Sequence, residues 1–241
     1  MKTGLLDRLL AERAAKRPAA LVTSLNGGGQ SLVTAEETHG DLALPLNVVA
    51  AARTALRSDR SGTVEADHSR FFIRVYNPPL RMAVIGAVHI AQALAPMAAL
   101  AGYEVTVIDP RQAFATESRF PGVRLVTEWP DEALGALRPD RRTAVVTLTH
   151  DPKLDDPALE VALRSNAFYI GALGSTRTQA KRLHRLQELG FNQEQLGRIH
   201  GPIGLKLGGR APAEIAIAIL GEATQVLHQG EAAEAEAAGA L

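Results

Sequence analysis

The turn made of Gly86, Ala87 and Val88 joins a short apolar strand to a helical pattern. A Gly-x-Gly-x-x-Gly/Ala turn in this position lets a pyrophosphate approach the free N–H groups of the helix. Gly86 and Ala91 match its first and last positions, but Val88 replaces the middle glycine and should obstruct that approach. Asp109 closes the next predicted strand, where a carboxylate accepts hydrogen bonds from a ribose. The pattern predicts a Rossmann-like βαβ unit with a modified or degenerate nucleotide pocket.

Two histidines lie where predicted strands give way to helices. His89 opens the helix after the first turn, where a neutral imidazole can donate to a phosphate or simply pack against the helix. His150 and Asp151 follow the predicted strand 143–149, and open α/β sheets bind ligands beyond such strand ends. The pair suits acid/base work, weak metal binding or merely a polar loop. Because no metal-ligand spacing is matched, we expect no metal site, and we assign no catalytic residue.

A second turn between a strand and a helix consists of Gly174, Ser175, Thr176 and Arg177. The free N–H groups of a helix start, two hydroxyls and a guanidinium together make a good anion site. The alternative is that a hydroxyl caps the helix while Arg177 is solvated. We favour the anion site, because two such turns in one sheet can face one ligand.

A glycine-rich loop at residues 200–211 precedes the last predicted helix. Four glycines in nine residues require unusual backbone geometry or the close approach of another group. Gly204 and Lys206 lie in this loop, and Lys206 would add positive charge near a ligand. Since basic residues in loops are more often solvated, Lys206 alone is a weak candidate.

Strands and helices alternate in the predicted elements after residue 79. This rhythm, together with nearly continuous apolar strands, predicts a parallel sheet that is buried on both faces. The predicted strands are 81–86, 104–109, 123–126, 143–149 and 168–173, and the predicted helices are 89–101, 154–165, 176–189 and 212–227.

The first 78 residues have a different pattern. Helices are predicted at 5–17 and 47–57, and hairpins at 20–34 and 62–77, before Asn77, Pro78 and Pro79 end regular structure. We therefore expect an α/β protein with a small α+β domain at 1–78, a Rossmann-like domain at 79–229 and a disordered tail at 230–241. The tail is predicted to be disordered because its Ala, Glu and Gly residues have little to bury.

Composition excludes several functions. The chain has 241 residues with 26 basic and 26 acidic side chains, so no net charge would attract nucleic acid or an anionic membrane. It has no cysteine, which excludes disulfides, thiolate metal sites and a persulfide carrier in this chain. The first 17 residues mix charges throughout, so we expect no signal peptide and a cytoplasmic location.

Four ordered segments resemble the XdhC/CoxI family of xanthine dehydrogenase accessory proteins. They are AVIGAVHIAQAL, VTLTHDPKLDDPAL, YIGALGSTRT and HGPIGLKLGGRAPAEIAIAI, within roughly residues 80 to 228. The resemblance implies a Rossmann domain that binds molybdenum cofactor (molybdopterin) transiently and holds it for sulfuration by a cysteine desulfurase. It also implies insertion of the cofactor into a molybdenum hydroxylase subunit, such as that of xanthine dehydrogenase or carbon monoxide dehydrogenase.

The chain departs from the family pattern at several positions. Val88 replaces a glycine, Lys206 replaces an aspartate, and Ala211 stands where Ser or Thr would cap the closing helix. A Ser-Gly-Gly-Cys segment of fuller members is absent. Two alternatives therefore stay open, an NAD(P)-dependent oxidoreductase and a cofactor-free scaffold that bridges the client enzyme and its maturation machinery. A homodimer is a further hypothesis, because the small N-terminal unit needs a surface to pack on.

Overall fold

The chain forms two compact units, each with its own β-sheet. A computed structural model describes the backbone of residues 3–239 and the side chains up to residue 229. Within the described residues, the first unit comprises 3–78 with 228–239, and the second comprises Pro79–Leu227. In the described part of the chain, no helix is both long enough and apolar enough to cross a membrane.

The first unit is an antiparallel sheet that packs between α1 (Thr3–Ala14) and α2 (Leu46–Ser58). Its strands are β1 (Ala19–Ser24), β2 (Gln30–Val33), β3 (Thr38–Gly40), β4 (Gly62–Ala66) and β5 (Ser69–Tyr76). They lie in the order β3-β2-β1-β5-β4. Residues of β1 alternate between the two faces, so that Ala20 and Val22 pack with α2 while Leu21 packs with α1.

The second unit is a six-stranded parallel sheet, which confirms the predicted Rossmann-like fold. Its strands are β6 (Leu80–Ile85), β7 (Tyr103–Ile108), β8 (Arg124–Val126), β9 (Thr143–Thr147), β10 (Tyr169–Ala172) and β11 (Ile199–His200). They lie in the order β11-β10-β9-β6-β7-β8. The central strand β9 is buried at every residue, as expected for a parallel sheet with two covered faces.

Helices cover both faces of this parallel sheet. They are α3 (His89–Leu100), α4 (Pro130–Leu137), α5 (Pro152–Arg164), α6 (Thr176–Glu188), α7 (Gln193–Leu196) and α8 (Pro212–Gly239). Leu94 of α3 and Ile219 of α8 belong to the core on one face. The core on the other face contains Leu134 of α4, Leu159 of α5 and Leu186 of α6.

The strand order creates a topological switch point between β6 and β9. The chain leaves β6, adds β7 and β8 on one side, and then returns to place β9 on the other side. The helices that follow these two central strands, α3 and α5, cover opposite faces. Ligands of open α/β sheets bind in the crevice that such a reversal opens at the carboxyl ends of the strands.

Four short elements and one helix end differ from the sequence predictions. The patterns did not predict β3, β11, α4 or α7, which have from two to eight residues each. Helix α8 continues to Gly239, where a disordered tail from residue 230 is expected from composition. Ala and Glu have high helix propensity, and this favours continuation of the helix. Residues 240 and 241 lie outside the described residues.

Candidate functional site

The sequence-predicted turns lie at one edge of the parallel sheet. Gly86 follows β6, His150 follows β9, Gly174 follows β10 and Gly204 follows β11. Because all of these strands run parallel, their carboxyl ends share one edge. The structure thus brings together four turns that are as much as 118 residues apart in the sequence, from Gly86 to Gly204.

The turn after β6 requires a glycine for two separate reasons. Gly86 has φ of 107°, which side-chain-bearing residues rarely adopt. A Cβ added there would lie 2.7 Å from Thr149 Cγ2, so the turns after β6 and β9 are in close contact. Ala91, at the last position of the fingerprint, is fully buried and permits close packing of α3.

Asp109 stabilises this turn and is not free for a ribose. The residue is completely buried, and its Oδ2 accepts a hydrogen bond of 2.8 Å from the Ala87 N–H. The Arg111 side chain donates to both carboxylate oxygens, at 2.8 and 2.7 Å, and the Arg111 N–H donates to Oδ1. The protein itself therefore occupies this carboxylate, and the predicted ribose contact finds no support in the geometry.

The charge state of Asp109 follows from these contacts. Burial raises the pKa of its carboxyl, but the hydrogen bonds from Arg111 and Ala87 outweigh burial and leave the pKa below its ordinary value. Asp109 is therefore ionised at neutral pH, and its ion pair with Arg111 fixes the end of β7 against the turn after β6.

The start of α3 offers free donors. Val88 is the N-cap residue, and no side chain caps the helix there. Within residues 3–239, no hydrogen bond is found for the N–H groups of Val88, His89 and Ile90. The Val88 side chain is partly buried against the core, whereas His89 is exposed. Unpaired N–H groups at a helix start favour anions.

The loop after β9 has a polar structure that the sequence only partly indicated. Asp151 caps α5, since its Oδ1 accepts from the Lys153 N–H at 3.0 Å. His150 is exposed and has φ of 61°, a left-handed conformation. The Thr149 hydroxyl donates to Asp155 Oδ1 at 2.7 Å and anchors the loop. Among the described residues, no group of three or more His, Asp or Glu side chains is placed to hold a metal ion.

The start of α6 combines a cap with free donors. Ser175 is the N-cap residue, and its Oγ accepts from the Thr178 N–H at 3.2 Å. The N–H groups of Thr176 and Arg177 have no acceptor in the part of the chain that the structure describes. Gly174 has φ of 147°, and a Cβ there would lie 2.9 Å from Thr178 Cγ2. Capping and anion binding were alternatives in the sequence, and the geometry accommodates both.

A pocket of about 190 Å³ lies between α5 and α6, and it is lined both by residues that the sequence predicted as site residues and by residues that it did not. His150 and Arg177, both predicted from sequence, line it together. Its other lining residues are Pro152, Asp155, Asp156, Thr178, Lys181, Arg182 and Arg185. A signal for the basic residues exists in the sequence, because residues 177, 181 and 185 are spaced by four and share one face of α6.

Glu222 of α8 holds the glycine-rich loop after β11. Its Oε2 accepts hydrogen bonds from the Gly204 N–H at 2.8 Å and from the Tyr169 hydroxyl at 2.5 Å. Burial, followed by the Glu222 carboxylate, raises the pKa of Tyr169, so the hydroxyl stays protonated and donates. Lys206 is exposed in this loop. The sequence carried no local signal for the Tyr169–Glu222 contact, since the two residues are 53 positions apart.

The closing helix has a cap despite Ala211. Glu214 lies in its first turn, and Oε2 accepts from the N–H groups of Arg210 and Ala211 at 2.8 and 2.9 Å. The bond from Ala211 is half of a capping box, in which the side chain of the third helical residue accepts from the N–H of the residue just before the helix. Helix α8 therefore has no hydroxyl cap at Ala211, but the Glu214 side chain caps it instead.

Comparisons with known proteins agree with this architecture. Molybdenum cofactor insertion chaperone PaoD of Escherichia coli (strain K12) is 34% identical over 157 residues, 65% of this chain and 43% of that protein. A protein of Bacillus subtilis (strain 168) that is named as a probable xanthine dehydrogenase subunit is 31% identical over 158 residues, 65% of this chain and 46% of that protein. The chain thus spans less than half the length of the curated relatives it matches.

A solved structure shares the fold over most of the chain. A xanthine dehydrogenase from Bacillus halodurans matches with a TM-score of 0.72 at 21% identity, covering 93% of this chain and 64% of that chain. At this identity the likeness shows the fold alone. The model of the XdhC Rossmann domain matches residues 82–223, which include all four turns at the carboxyl edge. Because this match spans more than half of the sequence, the chain belongs to the XdhC family.

Proposed function

We propose that this protein is an accessory factor that binds molybdenum cofactor and delivers it to a molybdenum hydroxylase of the xanthine dehydrogenase type. The observation that carries the proposal is the 34% identity to a protein named as a molybdenum cofactor insertion chaperone. The matched Rossmann domain contains the whole switch point, where a ligand would bind. A second relative is named as a probable xanthine dehydrogenase subunit, which supports the class of client.

The carboxyl edge fits a phosphate-bearing cofactor. The helix starts after Gly86 and Gly174 offer unpaired N–H groups, and Arg177 supplies a positive charge beside the second. His89 and His150 are exposed at the same edge, where they would face the pterin. When bound, the cofactor supplies the molybdenum centre, and the residues of this chain only bind and orient it.

A nicotinamide dinucleotide fits the same edge less well. Val88 adds a branched side chain where the backbone should approach a pyrophosphate. Asp109, the candidate ribose acceptor, is buried and already bound by Arg111 and Ala87. These two features favour the accessory role over an NAD(P)-dependent oxidoreductase.

The absence of cysteine defines how sulfuration would proceed. This chain has no thiol on which sulfur could be carried. A partner cysteine desulfurase therefore acts on the bound cofactor directly, while this protein holds it in the cytoplasm. If the protein forms a homodimer, the desulfurase would still transfer the sulfur and this protein would still only hold the cofactor.

Isothermal titration under anaerobic conditions tests the proposal. The purified protein is titrated with molybdenum cofactor and, in parallel, with NAD(H) and NADP(H). We expect saturable binding of molybdenum cofactor alone. Binding of a nicotinamide nucleotide alone would instead indicate a redox enzyme, and no binding of any of them would favour the cofactor-free scaffold.

The variant Arg177→Ala tests where the cofactor phosphate binds. Loss of one charge-assisted contact should weaken cofactor binding about tenfold. Arg164→Ala is the matched control, because Arg164 is an exposed arginine at the far end of α5 with a loose 3.7 Å pair to Glu160. Equal affinities of the Arg177→Ala variant and the wild type would remove Arg177 from the site.

A further inference from the structure

The pocket between α5 and α6 is positively charged at its mouth. Its two carboxylates are already paired: Arg185 binds Asp156 through two hydrogen bonds, one of them 2.9 Å, and Arg182 lies 3.8 Å from Asp155. Arg177 and Lys181 also line the pocket, and within the described residues neither has an ion-pair partner. Two cations are therefore left over after the internal pairs are formed.

The wall of this pocket contains buried polar atoms that form no hydrogen bond within the described residues. Arg182 is only 2% exposed; its two terminal nitrogens donate to Gln179 Oε1 and the Leu173 carbonyl, but its Nε has no hydrogen-bond partner among the described residues. Asp155 is 1% exposed, and its Oδ2, which lies 3.8 Å from the Arg182 guanidinium, accepts no hydrogen bond there. An unsatisfied buried donor is costly, and an anion bound in the pocket would give the Arg182 Nε–H an acceptor.

We infer that this pocket binds one phosphate-sized oxyanion, either free phosphate or the terminal phosphate monoester of a larger ligand. Arg177 and Lys181 would contact it at the mouth and Arg182 at the wall, beside the unpaired N–H groups at the start of α6. At about 190 Å³ the pocket is smaller than those that enclose drug-sized ligands, about 300–1,000 Å³. The inference deepens the proposed function and rests on it for the larger ligand, since Arg177 and the start of α6 are also where we propose that the cofactor phosphate binds.

The neighbouring carboxylates do not prevent anion binding. Burial raises the pKa of Asp155 despite its hydrogen bonds from Thr149, which lessens the repulsion between this carboxyl and an anion. Burial also lowers the pKa of Arg182. A bound anion would favour the charged guanidinium and so offset its desolvation.

Titration of the full chain with inorganic phosphate and, separately, with glycerol 3-phosphate tests the inference. The buffer contains neither phosphate nor sulfate, and binding is followed by calorimetry. We expect one saturable site in the wild type and about tenfold weaker binding in Lys181→Ala, from loss of one charge-assisted contact. Lys181→Arg should keep the affinity, because it keeps the charge.

The control variant is Lys153→Ala. Lys153 is an exposed lysine at the start of α5 that does not line the pocket, so its removal makes the same change in net charge. Equal binding of both ligands would show that a phosphate monoester suffices, and binding of inorganic phosphate alone would identify the free ion. No saturable binding in the wild type, or equal losses in the Lys153→Ala and Lys181→Ala variants, would overturn the inference. Failure here would remove the cofactor phosphate from this pocket, whereas cofactor binding itself is tested by the separate titration with molybdenum cofactor.

Discussion

Asp109 connects three segments through one buried carboxylate. It binds the Ala87 N–H in the turn after β6 and the Arg111 side chain beyond β7, while its own N–H donates to Val126 of β8 at 3.0 Å. A carboxylate at this position in a Rossmann sheet usually serves a nucleotide. Here its role at residue scale is to hold the geometry of the first turn.

The substitution Asp109→Asn should destabilise the second unit. The amide can still accept from Ala87, but the ion pair with Arg111 is lost, and we expect a decrease of about 2 kcal/mol in the free energy of unfolding. The fluorescence of Trp129, the sole tryptophan and a residue of the second unit, can follow denaturation. Glu128→Gln removes a negative charge at an exposed position of the same unit and should have little effect.

The cost of Asp109→Asn should depend on pH in a defined direction. The pKa of Asp109 is lowered on folding, so its ionised form stabilises the protein above the unfolded pKa of about 3.9, and this contribution fades as pH falls through the folded pKa. The stability gap between wild type and variant should therefore be constant near neutral pH and narrow in acid below about pH 4. A gap that stays constant in acid would show that the ion pair is not its source.

Residue types predicted some of these roles and missed others. Gly86 and Ser175 were recognisable because a tight turn and a helix cap each favour a particular residue type. The ribose role predicted for Asp109 finds no support, because Arg111, two positions later, donates to the same carboxylate. The dinucleotide-binding motif specifies the acidic residue but not the residues around it, so it could not indicate this contact. The sequence did not identify Lys181 and Arg182 as site residues. Which basic side chains of α6 keep an ion-pair partner depends on where α5 places its carboxylates, and this requires the folded structure.

The contact between β10 and α8 holds a loop at the scale of elements. Tyr169 of β10 and the Gly204 N–H both donate to Glu222 of α8, and His200 lies 3.6 Å from the same carboxylate. The rings of Tyr169 and His200 are 4.9 Å apart. One residue of α8 thus contacts β10, the neighbouring edge strand β11 and the glycine-rich loop.

The substitution Tyr169→Phe should weaken this contact. It removes a hydrogen bond to a largely buried carboxylate, and we expect a loss of about 1.5 kcal/mol in stability and faster hydrogen exchange at the Gly204 amide. Tyr103→Phe is the control, because Tyr103 is also a buried tyrosine and its hydroxyl forms no hydrogen bond within residues 3–239. Unchanged exchange at Gly204 would mean that Glu222 holds the loop without Tyr169.

Elements with strong periodicity were predicted to within a few residues. The strand predicted at 104–109 is β7 at Tyr103–Ile108, and the helix predicted at 176–189 is α6 at Thr176–Glu188. The two-residue strand β11 was not predicted, because it is a strand only through its pairing with β10 and is too short to show a pattern in its own sequence. Helix α4 has only eight residues, so its apolar positions are too few to show a period.

Because the whole chain contains no cysteine, we expect that sulfur is never bound covalently to this protein during sulfuration of the cofactor. If a cysteine desulfurase and radiolabelled cysteine are incubated with the cofactor-loaded protein, we expect the label on the cofactor and none on the denatured chain. The chain has no cysteine to carry a persulfide. Label that remains covalently bound to this chain after denaturation would contradict direct transfer to the cofactor.

The position of β9 determines how far apart the ends of β6 and β10 lie. This strand lies between β6 and β10, so the carboxyl ends of those two strands are separated by two strand spacings, about 9.6 Å, and the helices that follow them, α3 and α6, lie on opposite faces of the sheet. A lone tetrahedral ion can occupy the start of one of these helices but cannot bridge both. A molecule that contacts both helix starts must be long enough to span this separation, with a hydrogen-bonding group at each end. If the proposed cofactor contacts both helix starts, its length as well as its charge will decide whether it binds.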